Sequence, residues 1–170
     1  MIKIAVLGYG TIGSGVVEVL ETNREHITQT AGQEIEVKYV LDLRDFPGDP
    51  IQEKIVHDYE IIKNDPEIEI VIELMGGINP AREYILSALK AGKHVVSANK
   101  DLIAVHGHEL LDAAHESKVD FLFEAAVAGG IPIIRPLKQC LAGNHMTEVM
   151  GIVNGTTNFI LTKMTQEGME

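Results

Sequence analysis

Apolar residues fall into short runs that alternate with stretches of helical period. Ile2 to Leu7 is a near-continuous apolar run ending in glycines, the pattern of a strand buried on both faces. From Thr11 to Thr30 the period changes. Ile12, Val16, Val19, Leu20 and Ile27 share one helical face, Glu18, Glu21, Arg24 and Glu25 point elsewhere, and Gly32 ends the helix. Ile35 to Leu43 reads as the second strand, followed by a turn at Pro47-Gly48-Asp49-Pro50. Between Ile51 and Asp65 the pattern predicts a short helix and then a short strand at Tyr59–Ile62. Ile68 to Leu74 is a strand closed by Gly76-Gly77, and Pro80 opens a helix whose stripe of Tyr84, Ile85, Ala88 and Leu89 stops before Gly92. Then come a strand at His94–Ser97, a helix at Leu110–Ser117 and a strand at Val119–Phe123. A helix at Ile131–Leu141, with Pro132 and Pro136 in its first turns, precedes a strand at Val149–Val153 and a closing helix at Thr156–Gln166.

Strands that alternate with helices imply parallel pairing through right-handed crossovers. The expected fold class is therefore α/β, doubly wound around a mostly parallel sheet. The pattern restarts near Gly143-Asn144, so residues 1–143 are expected to form one domain and 144–170 the beginning of a second.

The first strand runs into Gly8-Tyr9-Gly10-Thr11-Ile12-Gly13, a G-x-G-x-x-G sequence between a strand and a helix, the context of a Rossmann-like dinucleotide site. Gly8 makes the tight turn, Gly10 admits a pyrophosphate to the backbone, and Gly13 lets helix and strand pack closely. The backbone N–H groups near Thr11 and Ile12 would face the phosphates, aided by the helix dipole. No Gly-Lys-Ser/Thr ends the turn, which excludes an ATP-type P-loop. The end of the second strand bears on which dinucleotide binds, and it offers Asp42-Leu43-Arg44-Asp45. A strand ending at Leu43 puts Arg44 at the head of the loop and favours NADP; one ending at Leu41 gives Asp42 the ribose and favours NAD. NADP is the expected cofactor, with NAD the alternative.

Composition narrows the remaining classes. A net charge of −11 repels nucleic-acid backbones and anionic membranes, and 5% aromatic residues without Trp offer no stacking platform for single strands. No apolar run approaches the ~20 residues of a membrane span. The N-terminus shows no signal pattern, and a cytoplasmic location is expected. The seven histidines lack the spacing of a zinc site. Cys140 is the one cysteine and lies in a predicted helix, as a small packing residue would.

Four further segments carry a family resemblance. They are Ile72-Glu73-Leu74-Met75-Gly76-Gly77, Val96-Ser97-Ala98-Asn99-Lys100, Glu124-Ala125-Ala126-Val127-Ala128-Gly129-Gly130-Ile131-Pro132 and Gly151-Ile152-Val153-Asn154-Gly155-Thr156-Thr157-Asn158. In order and spacing, over essentially the whole chain, they resemble homoserine dehydrogenase. The resemblance implies hydride transfer between a nicotinamide cofactor and the aspartate 4-semialdehyde/homoserine pair, in threonine and methionine biosynthesis, by a homodimer built through a second domain. It places Lys100 near the nicotinamide and the substrate, as a catalytic and cofactor-contacting cation. It also implies a sodium ion held by Glu124 and by backbone oxygens at Val127, Gly129 and Ile131.

By position, Gly76 lines the cofactor cleft, and Gly155 and Thr156 open the last helix, where free N–H groups could hold a substrate's polar group. The family usually has Thr where this chain has Ser97. Its substrate-holding carboxylates and proton-relaying lysine belong to a later acidic segment. The chain by itself is thus expected to bind cofactor but to turn over little. Aspartate-semialdehyde dehydrogenase, similar in its nucleotide half, needs a catalytic cysteine for which Cys140 is poorly placed. The competing reading is a non-catalytic dinucleotide-binding sensor or interaction module.

Overall fold

A computed structural model describes residues 1–152 and 154–168. In order along the chain, the elements are β1 (Ile2–Leu7), α1 (Thr11–Thr22), α2 (Arg24–Ala31), β2 (Ile35–Leu41) and β3 (Ile55–Val56). They continue with α3 (Tyr59–Asn64), β4 (Ile68–Glu73), α4 (Ala81–Lys90), β5 (His94–Ser97), α5 (Lys100–Ser117), β6 (Phe121–Leu122) and α6 (Gly155–Glu167). The six strands form one sheet in the order β3-β2-β1-β4-β5-β6, and every pairing is parallel. This is the doubly wound, Rossmann-like α/β arrangement expected. The direction in which successive strands are added reverses between β1 and β4, so their carboxyl ends flank the crevice where open α/β sheets take ligands.

Alternation along β1 feeds two cores. Ile4 and Val6 pack with Val37, Val40, Val17 and Ile51, on the side that α1 covers. Ala5 and Leu7 face the other way, with Val71 and Val95, towards Ile85 and Leu89 of α4 and Leu102 and Leu110 of α5. Leu89, Leu102 and Leu110 are fully buried. Each stabilises the fold by about 1.5–3 kcal/mol relative to exposure. Among the described residues, none beyond Phe121 is buried, so those from 144 onward add nothing to this core.

Several expected elements shift. The first helix breaks at Asn23, which caps α1 and opens α2. Its contact face is also rotated: Gly13 and Val17 are buried, whereas Ile12 and Val19 are more than half exposed. A glycine supplies the closest contact, and apolar periodicity cannot register a residue with no side chain. Between Ile51 and Asp65 the expected short helix is a 3₁₀ turn at Pro50–Lys54, the strand comes earlier than Tyr59–Ile62, as β3, and Tyr59–Ile62 belongs to the helix α3. Asp58 caps α3 by accepting from the Glu60 N–H at 2.9 Å, and Tyr59 and Ile62 point inward. The Tyr59 ring stacks on Tyr84, with centroids 4.1 Å apart. The fifth helix begins ten residues earlier than Leu110, because Asn99 caps it at Lys100 through the Leu102 N–H.

The helix expected at Ile131–Leu141 contracts to a wide π turn at Pro136–Cys140, since Pro132 and Pro136 withhold backbone donors. Cys140 is exposed rather than packed. Of the strand expected at Val149–Val153, residues 149–152 have no regular structure and Val153 lies outside the described residues.

At the amino-terminal edge of the sheet, Lys38 bonds Asp65 and Glu67, and Lys3 bonds Glu67 at 2.5 Å. The buried Lys93 ammonium donates to the carbonyls of Asp65 and Ile68 at 2.6 and 3.0 Å. The Lys38 ammonium beside Asp65 holds its carboxyl down to about 2. An unfolded-chain Asp titrates near ~3.9, so this pair contributes fully above that pH and is lost as pH falls towards 2. Asp65→Asn is therefore expected to flatten the fall in thermal midpoint between pH 5 and 2. Parallel melting curves for the two proteins would contradict this.

Candidate functional site

The glycine turn sits where the ends of three strands meet. Gly8 donates to the Leu41 carbonyl at 2.8 Å, and Leu74 donates to the Leu7 carbonyl at 2.9 Å, tying β1 to β2 and β4 at the crevice. Gly8 has φ +98°, and a Cβ there would lie 3.1 Å from the Leu74 oxygen. At Gly13 a Cβ would lie 2.0 Å from the Gly8 oxygen, so α1 presses against the turn backbone to backbone. Gly10 has open space where its Cβ would be, and no side chain caps the helix it begins. The first-turn N–H groups, including those of Thr11 and Ile12, thus face outward as a ready anion cradle.

β2 ends at Leu41, two residues short of the expected Leu43, whose side chain is 92% exposed. Asp42 therefore stands at the strand tip. Its Oδ2 accepts from the Tyr9 N–H at 2.8 Å, inside the glycine turn. Arg44 folds back over it, with Nε 2.9 Å from Oδ1 and Nη2 3.0 Å from Oδ2, and Nη2 also reaches the Tyr9 carbonyl at 3.1 Å. The Arg44 guanidinium, with the N–H groups of Arg44 and Tyr9, overcomes burial and holds the Asp42 carboxyl well below the usual carboxylate range. His57 bonds the Asp42 carbonyl at 2.7 Å and the Asp45 carboxylate at 3.2 Å. The Asp42 carbonyl, and after it Asp45, push the imidazole above its ordinary value. Gly8, Gly10, Asp42, Arg44, His57 and Tyr84 help to line a cleft of about 430 Å³.

At the other side of the switch point, Glu73 ends β4 fully buried. It accepts from the Ser97 hydroxyl at 2.7 Å and the Met75 N–H at 2.9 Å, and its Oε1 lies 3.5 Å from the Asn99 amide nitrogen. That amide also donates to the Gly77 carbonyl at 2.5 Å. Gly76 and Gly77 have φ of +76° and +71°, which makes the reversal after Met75 a glycine turn. Lys100 occupies the first position of α5, exposed, and its ammonium makes no hydrogen bond or ion pair among the described residues. The Asn99 cap and the Glu73 carboxylate were missed as site features in the sequence. Asn99 followed three residues later by the apolar Leu102 was the available signal, as was a lone acid closing an apolar strand.

The more distal candidates lie apart from the cleft. Glu124 accepts from the N–H groups of Ile133, Ile134 and Arg135, the last two at 2.8 and 2.9 Å. Burial alone would raise its carboxyl, but these donors together hold it below its ordinary value. The loop after it reverses at Ala128 and Gly129, with φ of +58° and +59°, between Val127 and Ile131. Among the described residues no three or more His, Cys, Asp or Glu side chains are placed to hold a metal ion together. Gly155 and Thr156 open α6, where Asn154 accepts from the Thr157 N–H at 2.7 Å as a helix cap. They do not line the cleft, and α6 buries none of its residues.

A family model described as "Homoserine dehydrogenase, NAD binding domain" matches residues 8–124, from the glycine turn through the last strand of the sheet. The chain belongs to the homoserine dehydrogenase family. A second model of the same family, described as "Homoserine dehydrogenase", matches residues 132–170. Homoserine dehydrogenase from Bacillus subtilis is 45% identical, with 98% of this chain and 39% of that protein covered. The Synechocystis homoserine dehydrogenase is 47% identical, with 99% and 39% covered. The crystal structure of a homoserine dehydrogenase from Thiobacillus denitrificans superposes with a TM-score of 0.91 at 44% identity, over 99% of this chain and 39% of that one. A hyperthermophilic archaeal homoserine dehydrogenase in complex with NADPH superposes with a TM-score of 0.83 at 26% identity, over 99% and 57%. The chain spans about 39% of the length of the curated relatives it matches. No helix among the described residues is long and apolar enough to cross a membrane.

Proposed function

We propose that this chain is the cofactor-holding portion of an oxidoreductase that interconverts aspartate 4-semialdehyde and homoserine. The observation that carries the reading is the Gly8–Gly13 turn, because Gly10 leaves open space beside uncapped N–H groups at the sheet's switch point. These features fit a nicotinamide dinucleotide, with Gly8, Gly10, Thr11, Ile12 and Gly13 at its pyrophosphate and Gly76 along the cleft. Such a cofactor supplies the hydride donor or acceptor. Lys100 would hold the carbonyl oxygen through its ammonium, stabilising the negative charge that grows there. Gly155 and Thr156 would orient the substrate once the rest of the enzyme, from residue 144 onward, brings α6 to the cleft. A cytoplasmic homodimer remains the assembly we propose for the whole enzyme, working in threonine and methionine biosynthesis.

Cofactor choice turns on the pair at the tip of β2. Asp42 is already engaged by Arg44 and Tyr9, so either dinucleotide must compete with the Asp42–Arg44 pair. A ribose 2′-hydroxyl would displace Arg44 from Asp42, whereas a 2′-phosphate would draw Arg44 to itself. We propose NADP as the preferred cofactor, because Arg44 is 61% exposed and His57 adds a second group able to carry positive charge beside it. The strand end at Leu41 favours the alternative, NAD with Asp42 on the ribose.

Parallel titrations with NADPH and NADH, followed by nicotinamide fluorescence, test both points. Arg44→Ala is expected to weaken NADPH by about tenfold or more and to leave NADH equal or tighter. Equal losses would reject the Arg44 role, and binding of neither by folded protein would reject the whole reading. Glu124 has four lone-pair sites, of which three N–H groups take three. It therefore fits a sodium ion held chiefly by the carbonyls of Val127, Gly129 and Ile131. Repeating the titration and a thermal melt in sodium and in tetramethylammonium chloride at equal ionic strength checks this; identical curves would dismiss the ion.

A further inference from the structure

Among the described residues only Glu73, Lys93, Ser97 and Asn99 are polar and buried. Three of the four lie in one network at the carboxyl edge of β4 and β5, beside the crevice. Burying a carboxylate without a cationic partner costs stability, and apolar packing would serve the fold better. No lysine, arginine or histidine pairs with Glu73 among the described residues. Ser97, Met75 and Asn99 are its only donors there. The network's geometry explains its retention better than stability does. Glu73 fixes the Met75 peptide on one side, while Asn99, through its Gly77 and Leu102 bonds, fixes the glycine turn and the first turn of α5 on the other. Ser97 joins the two, donating to Glu73 and accepting from the Asn99 N–H at 3.1 Å.

The geometry points to Glu73 as a positioning residue that holds the Met75–Gly77 turn and the Asn99–Lys100 helix start in register, and so shapes the nicotinamide end of the cleft. This rests on the proposed dinucleotide reading. Glu73 itself is fully buried, so its side chain presents no surface to a ligand. The adenosine and pyrophosphate end would rest on Gly8, Gly10, Asp42 and Arg44, none of which bonds Glu73, Ser97 or Asn99 side chains among the described residues, though Met75 lines the same cleft. A change at Glu73 therefore separates the two halves of the cofactor, which a general loss of fold stability would not do.

The experiment compares NADPH with 2′-phospho-ADP-ribose, and NADH with ADP-ribose, each pair differing by the nicotinamide. Affinities are measured by calorimetry on the folded chain and on Glu73→Gln, which keeps an acceptor for Met75 but loses one for Ser97. NADPH and NADH are expected to weaken by about tenfold while the ribose probes stay within about twofold. Ser97→Ala removes the hydroxyl that links Glu73 to Asn99 and is expected to show the same split at smaller size; it carries the comparison should Glu73→Gln not fold. Equal losses on both members of a pair, or no loss, would overturn the positioning role alone. A folded wild-type chain that binds none of the four would overturn the dinucleotide reading and this inference with it.

Discussion

Gly13→Ala is expected to lower the thermal midpoint by roughly 2–12 °C and to weaken dinucleotide binding sharply. The added Cβ would lie 2.0 Å from the Gly8 oxygen, a backbone atom that cannot rotate away. Either α1 lifts from β1 or the Gly8 turn opens, and overpacking of this kind costs about 1–3 kcal/mol, or more where backbone must move. In a domain of this size each kcal/mol is worth about 2–4 °C. Gly10→Ala provides the contrast. Its backbone has φ −84° and its Cβ would meet nothing within 4 Å, so no clash is added, and alanine in place of glycine at a helix cap costs about 1 kcal/mol. That variant should melt within about 4 °C of the wild type yet bind dinucleotide at least about tenfold more weakly, because the methyl fills space the pyrophosphate needs. Scanning calorimetry and ligand titration on both variants separate the two roles. A Gly13→Ala protein with unchanged melting would refute the packing argument, and a Gly10→Ala protein with unchanged affinity would refute the phosphate argument.

Lys100→Ala carries the second large effect, read, on the proposed function, in a protein that carries the substrate-binding segment as well. Removal of a group that stabilises the forming oxyanion is expected to reduce kcat by about 10²–10³. Lys100 is exposed and without a partner among the described residues, so its loss should leave the melting curve where it was. Dinucleotide affinity should change by no more than about threefold, because the pyrophosphate cradle lies at β1. An unchanged kcat would return Lys100 to the status of a solvated lysine at the start of a helix. A fall in affinity with kcat intact would make it a cofactor contact only.

How much of this was legible depended on whether side chains announced themselves. β1, the glycine turn, β4 and β5 stood out because a strand buried on both faces must be apolar throughout and must end in residues that let the chain turn. The start of α5 did not, since its first two turns are largely solvent-facing and their apolar residues show no regular stripe. The Asn99 cap announces them only to a reader who weighs one side chain above periodicity. The strand expected at Tyr59–Ile62 was misplaced because two-residue strands such as β3 owe their form to the neighbouring β2, not to their own composition. The turn after Pro132 shrank because missing N–H groups outweighed an apolar pattern.

Taken by itself, the sequence determined the alternation of strands and helices, the parallel winding that follows from it, and the place of the glycine turn. These are local consequences of side-chain period and of glycine's freedom at Gly8. Tertiary structure alone decided that β2 stops at Leu41, that Asp42 is claimed by Arg44 and by the glycine turn, and that Glu73, Ser97 and Asn99 meet. The reason is distance along the chain. Asp42 and Tyr9 are 33 residues apart, and Glu73 and Ser97 are 24 apart. Only the folding of the sheet brings such groups within hydrogen-bonding reach.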